Sequence, residues 1–201
     1  KKLVDTLASS FFWGRGYTNN GIKKAADFLA AQFQSYGLKP LEGKSFLQSF
    51  SYPVNTFPGR MEVTINGKEL TPGKDFIVAP ESKGVKAKGN FEQADSVQFI
   101  NIQNRVIAQL QDKLTWSVAT EEADFTVVIL DKKAVTAPLQ NFNVNIENDF
   151  VRNFKAANVC GMVKGTVKPD SVIFITAHYA CAPSTAKKPP ASRSAPAARP
   201  T

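Results

Sequence analysis

The chain is poor in the residues that most site chemistry uses. Its 201 residues include one histidine, two cysteines, two methionines and two tryptophans. The cysteines, Cys160 and Cys181, form no CxxC or zinc-knuckle spacing and no disulfide framework, so they assign neither an oxidising nor a reducing compartment. No apolar run approaches the roughly 20 residues that span a bilayer as a helix, so no transmembrane segment is expected. Lys1-Lys2-Leu3-Val4-Asp5 lacks the uninterrupted apolar stretch of a signal peptide. The composition also excludes collagen and coiled coil.

What is present points to a folded core. Hydrophobic residues make up 43% of the chain and include fifteen Phe, too many for a sequence that does not collapse. The length allows one large or two small domains. A net charge of +8 raises nucleic acid or an anionic membrane as a partner, but the charge is unevenly spread. Residues 181–201 hold Lys187, Lys188, Arg193 and Arg199 with no acid, leaving an ordinary +4 over residues 1–180. The body has no Lys/Arg stripe interleaved with aromatics, so no nucleic-acid partner is expected.

Leu3, Leu7 and Phe11 predict a short helix over 2–12, broken by Gly14-Arg15-Gly16. Ile22, Ala25, Ala26, Leu29, Phe33 and Tyr36 predict a longer helix, capped by Asn19 or Asn20 and closed by Gly37, with Leu38 folding back. From Phe46 the period moves towards two. Phe46, Gln48, Phe50 and Tyr52 predict a strand ended by Pro53, and Met61–Ile65, Asn66-Gly67 and Lys68–Leu70 predict a hairpin. Further strands are expected at 76–78, 97–102, 125–130 and 142–146. Val106, Ile107, Leu110 and Leu114 suggest one crossover helix. The runs 158–165 and 171–177 follow, joined by a turn at Lys168-Pro169-Asp170. The second is apolar throughout its centre, as in an interior strand covered on both faces. Residues 181–201 carry five of the twelve prolines and no apolar periodicity, the composition of a disordered tail.

His178 directly follows that apolar strand, at the end where α/β sheets place ligands. Other chemistries find no support. There is no GxSxG, Cys181 is too close in sequence to His178 for an ordinary thiolate–imidazole pair, and no strand precedes Gly14-Arg15-Gly16 to make a dinucleotide fingerprint.

The order Gly14-Arg15-Gly16, amphipathic helix, strand, long insert, Asn158-Val159-Cys160-Gly161-Met162-Val163-Lys164-Gly165, then Asp170 to His178-Tyr179 resembles the N-terminal portion of the co-catalytic di-zinc aminopeptidases. These are secreted bacterial exopeptidases related to glutamate carboxypeptidase. In that family a "GRxxG" segment precedes the helix, an "NVxGxxxG" strand follows, and the next apolar strand ends in "AHY". The resemblance covers residues 1–179 and implies an α/β fold: the opening helices and first strands of a zinc-exopeptidase sheet, plus a mainly β, protease-associated-like insert. It divides the chain into helices and first strand at 1–54, the insert at 55–155, the next two strands at 156–180 and the tail at 181–201. It implies zinc as cofactor, a peptide substrate, a periplasmic or extracellular location, and His178 as the first zinc-ligand histidine.

The family's orienting carboxylate would fall at Ala180, and residues 180–201 contain no acid. A catalytic zinc needs about three protein ligands and an open position. His178 supplies one. Asp95, Glu121, Glu122 and Asp124 belong to the insert, and no general base is identifiable. The expectation is therefore a chain inactive as it stands, binding no zinc stably. The alternative is a β-rich, non-catalytic module that binds peptide or protein. An uncovered apolar strand at 172–177 also implies self-association through a sheet edge.

Overall fold

The computed structural model describes residues 2–168 and 171–179. The fold is mixed α and β, with many strands and few helices. Helix α1 (Lys2–Leu7) and two 3-10 turns (Ser10–Arg15 and Thr18–Asn20) precede helix α2 (Gly21–Ser35). Then come β1 (Lys39–Pro40), β2 (Leu47–Thr56), β3 (Met61–Ile65), β4 (Lys68–Leu70), β5 (Phe76–Val78), β6 (Val85–Asn90) and β7 (Glu92–Gln93). The remaining strands are β8 (Gln98–Asn101), β9 (Val106–Gln111), β10 (Thr126–Asp131), β11 (Asn141–Ile146), β12 (Asp149–Val159) and β13 (Gly161–Met162). Among the described residues no helix is long and apolar enough to cross a membrane. The tail at 181–201, Ala180 and the Pro169-Asp170 part of the expected turn lie outside the described residues.

α2 occupies the span its apolar stripe predicts, with Ile22, Ala25 and Ala26 buried. Its C-terminus closes as expected: Gly37 N–H donates to the Gln34 carbonyl and Leu38 N–H to that of Phe33, satisfying carbonyls the helix leaves open. The N-terminus differs. Asn20 makes no side-chain cap bond, and Ile22 N–H instead donates to the Gly16 carbonyl at 2.9 Å. The tight loop before the helix supplies the acceptor a cap side chain would have given. The first helix is shorter than predicted, because the chain tightens into a 3-10 turn at Ser10 and kinks at Trp13 and Gly14.

β2 and β12 form an antiparallel ladder from Thr56↔Asp149 to Leu47↔Val159. The strand does not end at Pro53. The register shifts between Val151 and Phe154, so Arg152 and Asn153 lie opposite Pro53. A bulge on the partner strand accommodates a residue with no N–H to donate. The chain leaves this ladder at Thr56 and re-enters it at Asp149, so everything between is inserted between two paired strands.

The inserted segment forms two sheets, ordered β5-β10-β9-β8-β7 and β4-β3-β11-β6. Their inner faces share one core, including Val63, Ile65, Phe76, Phe99, Val128, Leu130, Phe142 and Val144. The Asn66-Gly67 hairpin is present, with both residues at positive φ (50° and 77°) as a two-residue primed turn requires. The predicted helix at 106–114 is instead β9, with Val106, Ala108 and Leu110 buried and Ile107, Gln109 and Gln111 half-buried. β9 pairs parallel with β10. Residues 112–125 join β9 to β10 without a helix, so the expected helical crossover between the strands at 97–102 and 125–130 is not formed. Val106 and Leu110, four apart, share the buried face of a strand as readily as a helix face, and the apolar Ile107 on the outward face completed the false helical spacing.

Residues 171–177 are not an interior strand. They have no assigned strand, and Val172, Ile173, Phe174 and Ile175 are 69%, 90%, 76% and 94% exposed. An apolar run becomes interior only where ladders flank it, and no described strand pairs with this one.

Asn55 joins the ladder to the insert. It is 1% exposed; its Nδ2 donates to the carbonyls of Pro80 and Ser82 at 2.8 and 2.7 Å, and its Oδ1 accepts from Asn148 Nδ2 at 2.8 Å. Asn55→Ala leaves these buried partners unpaired and should cost about 3 kcal/mol of stability in urea unfolding. Arg60→Ala, which removes the exposed Arg60–Glu147 ion pair, should change it by less than about 1 kcal/mol. Equal effects would show that the network does not hold the two parts together.

Candidate functional site

The sequence segments behind the aminopeptidase resemblance lie on neighbouring elements. α2 ends over the turn into β13: a side chain at Gly161 would place its Cβ 2.7 Å from a Phe33 ring carbon and 2.9 Å from a Leu38 methyl. The glycine of Asn158-Val159-Cys160-Gly161 is therefore the point where the helix end rests on the strand. Phe33 also meets Phe46 edge-on at 6.1 Å, and Cys160 N–H donates to the Phe46 carbonyl. Cys160 is a free thiol and half-buried, less enclosed than a small core hydrophobe.

Gly14-Arg15-Gly16 lies in a strained loop. Trp13, Arg15, Asn19 and Asn20 all have positive φ, at 47°, 59°, 52° and 57°, a conformation that costs non-glycine residues about 1–2 kcal/mol each. Arg15 Nε and Thr18 Oγ1 are buried without a hydrogen-bond partner. Tyr17, in the same loop, accepts a hydrogen bond from Tyr52 and packs edge-on against Phe154. Burial, then the Tyr17 hydrogen bond, holds the Tyr52 phenol well above its usual range.

His178 is exposed, and no hydrogen bond or ion pair among the described residues joins it to a carboxylate. The acids singled out from the sequence serve other ends. Asp95 Oδ1 accepts from Val97 and Gln98 N–H groups, both at 2.7 Å, and Glu122 accepts from Asn148 Nδ2 at 2.6 Å. Asp124 faces Arg105 at 3.9 Å, and Glu121 is exposed. Among the described residues there is no group of three or more His, Cys, Asp or Glu placed to hold a metal ion. The residues present do not fit a di-zinc centre.

Its neighbour Tyr179 is the residue the sequence reading missed. A groove of about 250 Å³ lies between α2 and the β2–β12 ladder, lined by Ile22, Ala26, Asp27, Leu47, Ala157 and Tyr179. The Tyr179 hydroxyl donates to the Ala157 carbonyl at 2.5 Å. Burial, with smaller contributions from Tyr52 and Asp27, raises its pKa and keeps it a donor. A tyrosine ending an apolar run was the available signal, since tyrosine buries a ring and needs a partner for its hydroxyl.

A second groove, of about 460 Å³, lies on the outward face of the five-stranded sheet. Ile107, Val127 and Ile129 line it together with Gln98, Gln109 and Glu81. Among the described residues no hydrogen bond in either groove joins a hydroxyl nucleophile to a base.

Gly161→Ala forces Phe33 and Leu38 aside and should lower stability by about 1–3 kcal/mol in urea unfolding, with Leu38→Ala in the same chain recovering part of the loss. No recovery would separate the glycine from the helix contact. Compared with family models, curated proteins and solved structures, the chain matches none.

Proposed function

We propose that this chain belongs to the N-terminal portion of a co-catalytic di-zinc aminopeptidase acting in the periplasm or outside the cell. It would carry the opening helices and first strands of the catalytic α/β domain with a protease-associated-like insert. The reaction of such a protein is hydrolysis of N-terminal peptide bonds by zinc-activated water. The observation that carries the reading is the β2–β12 ladder. It makes residues 57–148 an insertion between paired strands and sets the Asn158–Gly161 segment beside the end of α2. Those are the segments on which the sequence resemblance rests.

His178 is one ligand where about three are needed, and among the described residues no hydrogen bond or ion pair joins it to a carboxylate that could act as a general base. Pure chain supplied with zinc should release no product from an aminoacyl-anilide, and His178→Ala should leave zinc binding unchanged. Reading the coding DNA past codon 178 in all three frames tests the family assignment. One frame should continue with an acid two residues after the histidine, then further carboxylates and a second histidine; if none does, the aminopeptidase reading is lost.

The groove on the five-stranded sheet favours a second reading, a non-catalytic module that binds peptide or protein. Limited trypsin digestion separates the two. A resistant core at 55–155 alone supports the module. Joint protection of the 21–35 helix and the 149–162 strands supports the catalytic-domain reading.

A further inference from the structure

We infer that the outer edge of β6 binds an extended acidic peptide as an added strand, with carboxylates at alternate positions set against Lys86 and Lys88. The inference rests on neither reading of function above, because the groove lies on the other sheet and the edge belongs to the four-stranded sheet alone.

β6 ends the sheet ordered β4-β3-β11-β6, and at six residues it is the longest of the four edge strands of the two inserted sheets. Which of its backbone groups face outward follows from its neighbour. In an antiparallel pair, residues that exchange both hydrogen bonds alternate with residues whose N–H and C=O point away. The Asn141 carbonyl accepts from the N–H of Asn66, which continues β3, so Asn141, Asn143 and Asn145 bond towards β3. Their opposite residues, Asn90, Lys88 and Lys86, therefore turn their backbone away from β11. Two further bonds fit that phase. Phe91 N–H donates to the Gln140 carbonyl on the β11 side, and the Asn90 carbonyl is reached from outside the ladder by Asn101 Nδ2 at 2.7 Å. Among the described residues no hydrogen bond engages the outward N–H and C=O of Lys86 and Lys88.

Charge selects the occupant. Lys83, Lys86 and Lys88 are exposed, and among the described residues none of them is in an ion pair. The carboxylate in the same cross-strand row, Glu62, lies two strands away and already accepts from Asn145 Nδ2 at 2.8 Å. Edge lysines discourage pairing with a basic or a neutral apolar strand, a second copy of β6 included. The same lysines favour an added strand that carries acid. Side chains opposite each other in a new antiparallel pair share one face, so the complementary ligand reads acid, apolar, acid. Its carboxylates fall opposite Lys88 and Lys86 on the solvent face. The apolar residue between them falls opposite Ala87, which is half-buried against the core. The two acidic residues also make the backbone bonds, each exchanging N–H···O=C bonds with its lysine.

The probe is the fluorescein-labelled peptide Thr-Val-Glu-Val-Glu-Val-Thr, titrated with the full 201-residue chain and read by fluorescence anisotropy. It should bind with a Kd on the order of 0.1 mM, and more weakly as salt is raised. The isomer Thr-Val-Glu-Glu-Val-Val-Thr has the same charge with its acids on opposite faces, and should bind about tenfold more weakly. N-methylation of both glutamates removes the donors that face β6 and should abolish binding. N-methylation of the central valine, whose N–H points to solvent, should not. Lys86→Glu with Lys88→Glu, both at exposed side chains, should weaken binding by about tenfold or more with circular dichroism unchanged. That variant should bind Thr-Val-Lys-Val-Lys-Val-Thr instead. Absence of binding at about 1 mM chain overturns the inference. So does binding that survives the double substitution, which places the peptide on other basic residues such as Lys187 to Arg199. Binding indifferent to the order of the acids or to the site of N-methylation also overturns it, leaving a charge contact without a paired strand.

Discussion

The antiparallel ladder between Leu47–Thr56 and Asp149–Val159 is the constraint on which the rest of the molecule depends. It pairs residues 93 positions apart at Thr56 and Asp149. Closing so long a loop costs little more than closing a shorter one, because the entropy grows only with the logarithm of length, about 0.6 kcal/mol per doubling. Register is the harder requirement, since a slip of one residue would turn every side chain to the opposite face. Three features pin it here: the bulge opposite Pro53, the Thr56 hydroxyl bonded to the Asp149 carbonyl at 2.9 Å, and Asn55 at the point of entry.

Polar groups at that entry point contribute differently from those on the surface. Asn55, Ser82 and Thr126 are all buried, and each side chain has a backbone partner. Asn55 reaches Pro80 and Ser82, Ser82 Oγ accepts from Val127 N–H at 2.9 Å, and Thr126 donates to the Lys83 carbonyl at 2.6 Å. Buried and satisfied, such bonds fix geometry because leaving any one unmade is costly. The ion pairs Lys23–Asp27 and Lys132–Asp112 are largely exposed and add little. The loop before α2 is the opposite case, with positive-φ residues and two orphaned buried atoms. Its strain is held in place by the packing of Phe12 and Tyr17 around it.

Elements whose own residues dictate them were legible in the sequence. α2 shows its stripe and its glycine stop, Asn66-Gly67 can hardly be other than a primed turn, and Phe142, Val144 and Ile146 alternate without ambiguity. Elements defined by partners were not. Pro53 ends a strand unless the neighbouring strand bulges, and nothing near Pro53 announces a bulge a hundred residues away. Val106 to Leu114 imitates a helix because the outer face of β9 is partly apolar. Parallel pairing with Thr126–Asp131 settles it as strand, and that pairing is not visible within the segment. Residues 171–177 carry the composition of an interior strand, but composition cannot supply neighbours. At the candidate site, the sequence singled out His178 by its rarity and place, and could not see that Tyr179 makes the contact.

The same distinction bears on chemistry. A motif is a statement about order along the chain, whereas catalysis needs convergence in space: several groups within bonding distance of one reacting atom. Here order and convergence part company. The helix end, the Gly161 strand and the ladder assemble as packed scaffold, because packing needs only shape and apolar surface. His178 sits at the end of an open segment, and among the described residues no group of ligands gathers round it. The acids that could have done so are engaged elsewhere, Asp95 in its own turn and Glu122 on Asn148. Among the described residues the scaffold packs without gathering a metal-binding group.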